Sequence, residues 1–296
     1  MILLELQVTL RQQQKNPAVA ASPFLGGVLH GVLEHLVRQY APAICQDLGI
    51  TAGNRPKYYA VIPPPYGWCP ASGATCILPC GFVLYGPARQ HAARIAALFA
   101  HWQVIRLNGC VDKVQHYRLR TRIPGYPASP WQQSTDVITL PPPNFHAVSA
   151  PPPVAESLTL NFLTPLKLGR QSAQPTAPQL LRIVRSLTRR IRTLEPALAA
   201  ASGMDSASWT AAEEQIRKHP LVSSRLSVAR WYYGSRSRAA PFPCNGLLGA
   251  IHYAAPLPAN IATVLHWGAW FGVGEGTAFG QGRYILSGRS PSITFA

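Results

Sequence analysis

Arginines recur along one face of a predicted helix in the second half of the chain. At 100° per residue, four of them fall within an arc of about 80°: Arg182, Arg185, Arg189 and Arg192. The opposite face is apolar and consists of Ile183, Val184, Leu187, Ile191 and Leu194. Residues 157–194 hold seven basic residues, Arg190 among them, and no acidic one. Because a polyanion relieves the repulsion within such a row, we expect contact with a phosphate backbone such as that of an RNA stem-loop. A solvated basic face is the alternative.

A second basic stretch interleaves cations with aromatic residues. Residues 230–233 read Arg-Trp-Tyr-Tyr, and Arg236 and Arg238 follow shortly after. Surfaces that stack nucleic-acid bases have this composition, although a strand with buried aromatic residues fits the aromatics equally well. For Arg236 and Arg238 we favour contact with phosphate, and Arg230 is a further candidate RNA contact.

Glycines dominate the segment before the last predicted strand. The segment 272–282 contains Gly272, Gly274, Gly276, Gly280 and Gly282. Glycine allows backbone amides to approach a phosphate closely, but a tight turn between a helix and a strand uses it too. The loop follows a helix and leads into a strand, the reverse of a dinucleotide-binding fingerprint, and it has no Gly-Lys-Ser/Thr. We count these glycines and the adjoining Arg283 as candidate RNA contacts.

Composition narrows the class of protein. The chain has 296 residues and a net charge of +16, with 22 Arg against 5 Lys, and 47% of its residues are hydrophobic. Such a chain can bury a core, and its charge favours a nucleic-acid or anionic-lipid partner. No apolar run is long enough to cross a membrane and the N-terminus lacks signal-peptide features, so we expect a cytoplasmic protein. The spacing of Cys69, Cys76 and Cys80 misses that of zinc sites, and we expect neither a metal nor a cofactor.

The first half has the predicted order strand, helix, strand, strand, helix, strand. The segments are residues 4–10, 24–40, 57–63, 76–85, 87–102 and 109–123. This βαββαβ order is that of the ferredoxin-like unit.

The second half repeats that order. Its predicted strands are residues 158–163, 226–233, 246–253 and 283–286, and its predicted helices are 178–194, 209–218 and 260–271. A proline-rich stretch with two Pro-Pro-Pro runs separates the halves and is typical of a semi-rigid connector. We therefore predict an α+β protein with two tandem ferredoxin-like (RRM-like) domains, residues 1–125 and 156–296, joined by the connector 126–155.

Several of these segments carry a resemblance to a known family. They are residues 161–168 (NFLTPLKL), residues 245–249 (NGLLG), the glycine-rich loop with Arg283-Tyr284, and residues 23–27 (PFLGG) before the first helix. The series resembles the CRISPR repeat-processing endoribonucleases of the RAMP (repeat-associated mysterious protein) superfamily. The resemblance extends over nearly the whole chain, and Glu275 stands where many members carry lysine. A type IV relative or an unusual type I or type III member would fit.

The resemblance implies a prokaryotic, metal-independent enzyme without cofactors. Such an enzyme binds the repeat stem-loop of a CRISPR precursor RNA and cuts it by attack of a ribose 2′-OH on the adjacent phosphate. The products are a 2′,3′-cyclic phosphate and a 5′-OH. The implied partners are the repeat RNA, the mature crRNA that stays bound, and other CRISPR effector subunits, with no membrane and no direct DNA contact.

The resemblance also places the catalytic groups on or near the first helix. There His30, Glu34 and Arg38 form a stripe at i, i+4 and i+8. We expect His30 to act as general base or acid and Arg38 to stabilise the charge that develops on phosphorus. Tyr40 is a further candidate donor, and His35 is a second choice that we expect to pack at the edge of the apolar arc. A row of salt bridges on a solvated helix is the alternative, and some relatives use arginine in place of histidine.

Two other functions compete with this one. A non-catalytic RNA-binding subunit of a CRISPR ribonucleoprotein would have the same fold and the same basic surfaces. An RNA chaperone or ribosome-associated factor built from two RRM-like units would expose aromatic residues on its middle strands, a pattern that this sequence lacks.

Overall fold

A computed structural model gives the architecture of the chain. The residues that it describes are 1–11, 23–50, 56–69, 75–107, 110–124, 127–133, 158–169, 176–204, 206–233, 242–254 and 256–287. The chain divides into two compact units, Met1–Val148 and Ser149–Ala296. Most of the predicted connector lies outside the described residues, so its role stays a prediction.

The first unit is an antiparallel sheet with two helices. Its strands are β1 (Ile2–Arg11), β2 (Tyr59–Ile62), β3 (Thr75–Leu84), β4 (Val104–Leu107), β5 (Cys110–Arg122) and β6 (Gln132–Gln133), and its helices are α1 (Gly26–Tyr40) and α2 (Ala92–Leu98). The strand order is β2-β3-β1-β5-β4, and β6 pairs with β5. The four principal strands β1, β2, β3 and β5 have the ferredoxin-like arrangement that the sequence predicts.

Alternation along β1 builds the core of this unit. Ile2, Leu4, Leu6, Val8 and Leu10 all belong to one buried apolar cluster together with residues of α1 and α2. Side chains at every second position of a strand share a face, so this face is the one that the helices cover. The α1 helix ends at Tyr40, since Pro42 follows and cannot continue it.

Three elements of the first unit differ from the prediction. The Ala-rich segment 87–102 is not one helix: a 3₁₀ turn at Gly86–His91 precedes α2, and another at Phe99–His101 follows it. Strands β4 and β6 were not predicted, and both pair with β5. Within the segment 87–102, the α-helix α2 is therefore only 7 residues long.

A buried carboxylate lies on the other face of this sheet. Glu5 is 1% exposed and accepts hydrogen bonds from Arg120 Nε at 2.7 Å, Arg120 NH2 at 3.0 Å and Arg122 Nε at 2.8 Å. Arg120 is the cross-strand partner of Glu5, and its guanidinium lies 4.3 Å from the ring centroid of Trp131. Two arginines on β5 thus compensate one buried charge on β1.

The second unit has the same fold. Its strands are β7 (Leu158–Leu166), β8 (Leu221–Tyr233), β9 (Phe242–Tyr253) and β10 (Tyr284–Ser287), and its helices are α3 (Leu180–Leu194), α4 (Pro196–Ala201), α5 (Ala207–Ile216) and α6 (Ala259–Phe271). The antiparallel strand order is β10-β7-β9-β8. Only the short helix α4 was not predicted. The predicted α+β class with two ferredoxin-like units is confirmed.

Helix α3 packs with its apolar face inward, as its periodicity predicts. Ile183, Val184, Leu187 and Ile191 are fully buried, and α3 packs against α6. The helix ends at Leu194 because Pro196 lacks the amide that the next turn would need. No helix in the described part of the chain is long and apolar enough to cross a lipid bilayer.

Candidate functional site

Helix α1 brings the predicted stripe of polar residues together. The His30 Nε2 atom lies 3.7 Å from Glu34 Oε1, and an Arg38 NH2 atom lies 3.7 Å from Glu34 Oε2. The environments differ along the stripe, because the side chain of His30 is 9% exposed and that of Arg38 is 57% exposed. The stripe therefore runs from the core of the unit to its surface.

Strand β2 and the residues before it complete a network around Glu34. Glu34 Oε1 accepts hydrogen bonds from Lys57 Nζ at 2.8 Å and from the Tyr59 hydroxyl at 2.9 Å. The Tyr59 oxygen also lies 2.8 Å from His30 Nε2. Since the single hydroxyl proton of Tyr59 goes to Glu34, His30 must donate the other hydrogen bond, which fixes the proton of its imidazole on Nε2.

The same contacts determine the protonation of His30 and Glu34. Burial lowers the pKa of His30 to about 4, against an opposing effect of the Glu34 carboxylate, so the imidazole is neutral near pH 7. Burial alone would raise the pKa of Glu34, but the hydrogen bond from Lys57 and the neighbouring His30 lower it overall. The cluster is thus a neutral histidine, a carboxylate and two cations, Lys57 and Arg38.

The other two candidate catalytic residues lie elsewhere on α1. His35 is exposed, and the expectation that it packs at the edge of the apolar arc is wrong. Tyr40 does not join the stripe; its ring stacks on His101, with 4.1 Å between the ring centroids. The surface of α1 that solvent reaches therefore presents His35 and Arg38, while His30 lies beneath it.

The arginine row of α3 faces solvent as predicted. Arg182, Arg185, Arg189 and Arg192 are all exposed. Arg182 donates to the carbonyl of Leu168 and Arg192 to that of Met204, and Arg185 forms an ion pair with Glu213 of α5 at 3.1 Å. Arg185 thus receives from another helix the acidic partner that its own segment lacks.

Arg190 differs from this row, although the sequence groups it with the residues expected to contact RNA. It is only partly exposed, and its Nε atom donates to the carbonyl of Phe271 at the end of α6, at 2.9 Å. That contact joins α3 to the C-terminus of α6, where carbonyl groups lack helical partners. Arg190 is a packing residue in this structure.

The glycine-rich loop uses its amides within the protein. The amide of Gly274 donates to Ser186 Oγ at 3.0 Å, that of Glu275 to Lys167 O at 2.8 Å, and that of Gly282 to Pro165 O at 2.9 Å. All five glycines have positive φ angles, between 67° and 87°. These bonds attach the loop to β7 and α3, so the structure supports the tight-turn explanation of the glycines and contradicts a phosphate cradle formed by these three amides.

The charged residues of this region also have protein partners. Glu275 pairs with Lys167 at 3.0 Å, and Arg283 is 7% exposed, so it is not placed to reach RNA in this structure. Arg230 is exposed on β8, beside the buried Trp231 and the exposed Tyr232. Arg236 and Arg238 lie outside the described residues.

Sequence reasoning missed Lys57 and Tyr59. Tyr59 is fully buried, and the register of β2 with β3 places it opposite Leu84. All four residues of β2 are buried, and nothing in the sequence of the strand indicates that the Tyr59 side chain would meet α1. Among the described residues no group of three or more His, Cys, Asp or Glu could hold a metal ion.

Comparison with known proteins identifies the second unit. Residues 160–284 match the family model of the CRISPR-associated endoribonuclease Cas6. The second unit is thus similar in sequence to the Cas6 family over this stretch. The matched region contains residues 161–168, the NGLLG segment and the glycine-rich loop with Arg283-Tyr284, which are the features that carried the resemblance in this half. It also contains the arginine row of α3.

Solved Cas6 structures extend the likeness over both units. A product complex of Cas6 (TTHB231), a Thermus thermophilus protein, has a TM-score of 0.59 and 19% identity, covering 97% of this chain and 100% of the other. A product complex of Cas6 (TTHA0078) has a TM-score of 0.54 and 20% identity, covering 97% and 99%. A partial Cas6-RT-Cas1–Cas2 complex has a TM-score of 0.52 and 13% identity, covering 96% of this chain and 46% of the other. These likenesses show the Cas6 fold for both units, and no curated protein matches the chain by sequence.

Proposed function

We propose that this protein is an endoribonuclease that binds the repeat stem-loop of a CRISPR precursor RNA and cleaves it to give mature crRNA. The observation that carries the proposal is the Cas6 match over residues 160–284. The exposed arginines of α3, within that region, supply the basic surface that binding of a folded RNA requires.

The proposed chemistry uses side chains alone. The ribose 2′-oxygen attacks the adjacent phosphorus, its proton passes to a general base, and the bond from phosphorus to the 5′-oxygen breaks as that oxygen receives a proton. The products are a 2′,3′-cyclic phosphate and a 5′-OH. Catalysis needs a base, an acid and a cation that stabilises the charge developing on the phosphate oxygens.

The geometry of α1 suggests how its residues share these tasks. His35 is exposed and is our candidate for proton transfer, and the half-exposed Arg38 is our candidate for stabilising the phosphate charge. His30 is buried, neutral and bound to Tyr59 through Nε2, so we give it a positioning role toward Tyr59 and Glu34 in place of the direct role predicted from the sequence. Tyr40 stacks on His101 and is not placed beside Arg38.

The experiment is cleavage of a cognate repeat hairpin by the purified protein in EDTA. We expect metal-independent cleavage, with loss of cleavage and retention of RNA binding in His35→Ala and Arg38→Ala. The matched control is Gln39→Ala, an exposed neighbour on the same helix, which should cut like the wild type. A requirement for a divalent metal would contradict the mechanism, and full activity of both variants would exclude α1 as the catalytic helix.

A non-catalytic RNA-binding subunit is the second candidate. One observation favours it: the histidine that the sequence places best for catalysis is buried and has its Nε2 committed to Tyr59. Tight binding of the hairpin with the RNA intact after long incubation would select this function. In either case we propose that the protein retains crRNA and works with other CRISPR proteins, as Cas6 does in the Cas6-RT-Cas1–Cas2 complex.

A further inference from the structure

A glycine in the middle of α1 has no structural explanation within the described part of the chain. Gly31 is exposed, five residues after the helix begins, and a Cβ added there would meet no atom within 4 Å. Glycine is among the least favourable residues inside a helix, because it loses the most conformational freedom on folding. Alanine would therefore fit this position and stabilise the helix.

Gly268 of α6 shows what a packing glycine looks like in the same protein. A Cβ at Gly268 would overlap the hydroxyl of Tyr284 and the side chain of Leu187, so close packing of α6 on α3 and β10 requires the glycine. Gly31 has no such neighbours among the described residues. Among the described residues, its missing side chain leaves the helix backbone open to an approaching group.

The residues around Gly31 define the chemistry of that group. On the helix, Gly31, His35 and Arg38 fall within an arc of about 60°, one turn apart on the solvent face. The acidic residue of α1 beside this arc is Glu34. Its Oε1 atom already accepts hydrogen bonds from Lys57 and Tyr59, and its Oε2 atom lies 3.7 Å from Arg38. The open backbone at Gly31 is therefore bordered by a cation and an imidazole, which suits an anionic group.

We infer that the sugar–phosphate backbone of the bound RNA lies directly against α1 at Gly31, within reach of His35 and Arg38. This inference rests on the proposed function and makes it more specific: Gly31 sets how closely the ribose and phosphate at the cut site approach the helix. A side chain at this position would hold the RNA away from His35 and Arg38. Displacement of reacting groups by about 1 Å can slow an enzymatic step 100-fold.

Gly31→Ala separates this role from a structural one. We expect its unfolding midpoint to rise by about 2–4 °C, because alanine favours the helix. We expect its single-turnover cleavage rate to fall by about 10- to 100-fold, and Gly31→Leu to lose cleavage and to bind the hairpin more weakly. Gln39→Ala, on the same exposed side but about 80° away from Gly31, is the control that should change neither property beyond the small effect of alanine on the helix.

The outcomes distinguish this inference from the proposed function. If the wild type cuts the RNA and Gly31→Ala and Gly31→Leu cut equally fast, the inference is wrong and the proposed function stands. If the wild type binds the hairpin without cutting it, while Gly31→Leu binds more weakly, the contact is supported and the proposed cleavage is wrong. A drop in the unfolding midpoint of Gly31→Ala would make the glycine structural and overturn the inference, and a wild type that neither binds nor cuts the hairpin would overturn both.

Discussion

The buried imidazole of His30 makes the stability of the first unit depend on pH. Its pKa is about 4 in the folded protein, against an ordinary value of 6.5. Between these values the unfolded chain binds a proton that the folded chain does not, so stability is fully present above pH 6.5 and falls as the pH falls toward 4. The expected loss from this group is about 3 kcal/mol at most.

Urea unfolding at pH 7 and pH 4.5 measures this loss. Other groups titrate in the same range, so the informative quantity is the difference between the wild type and His30→Gln. We expect the variant to be less stable at pH 7 and to lose less stability on acidification. Equal losses in the two proteins would mean that His30 is not held neutral by burial.

The residues of α1 also show which properties a helical wheel predicts and which it does not. The spacing of His30, Glu34 and Arg38 predicts their contact, since it depends only on the helix. Their exposure depends on neighbours: Tyr59 covers the His30 side of α1, while Val28 and Val32 on the other side are only partly buried. The buried face is thus rotated toward His30 and away from His35, which the apolar residues of the helix alone do not indicate.

At the scale of the element, the arginine row of α3 is predicted to bind RNA. Arg189 is exposed on this row, so Arg189→Glu should weaken binding of the repeat hairpin roughly tenfold or more without changing the unfolding midpoint. Arg190→Gln is the matched comparison. Its loss of the bond to Phe271 O should cost about 1–2 kcal/mol of stability and leave RNA affinity nearly unchanged. Equal RNA affinities of the wild type and Arg189→Glu would remove this face of α3 from the interface.

The glycine-rich loop yields a prediction about folding. Gly282 has φ = 67°, and a Cβ there would overlap the carbonyl of Val273. Gly282→Ala should therefore lower the free energy of unfolding by at least about 2 kcal/mol. Denaturant unfolding of the full chain measures the effect, and a variant as stable as the wild type that fails to bind RNA would restore the phosphate-cradle explanation.

Sequence periodicity predicts most of the helices and strands. Contacts between residues that are distant in the sequence explain the features that periodicity does not predict. The α3 row is predicted from its own segment, but the pairing of Arg185 with Glu213 needs the packing of α5 beside α3. The glycine loop is visible in the sequence, whereas the destination of its amides depends on Pro165 of β7 and on Lys167 directly after that strand, more than 100 residues earlier. Local pattern thus predicts where a feature lies, and tertiary contacts determine what it can bind.

For the whole molecule, the net charge of +16 predicts a strong dependence of RNA affinity on salt. Binding that releases counterions from phosphates makes the logarithm of affinity fall linearly with the logarithm of salt concentration. We expect Arg189→Glu to reduce this slope by about 1 relative to the wild type. Filter binding from 50 to 300 mM salt, a range of roughly six-fold, measures it. Parallel lines for the two proteins would show that Arg189 does not contact phosphate.

The Glu5 carboxylate, with Arg120 and Arg122, has a consequence for how this protein tolerates sequence change. Arg120 and Arg122 of β5 both donate to the Glu5 carboxylate of β1, so replacing Glu5 alone would remove a negative charge that two guanidinium groups share. A library that varies one position at a time would record Glu5 as immutable. A library that varies the three together would find apolar combinations that fold, so in a lineage of such proteins these positions should change as a set.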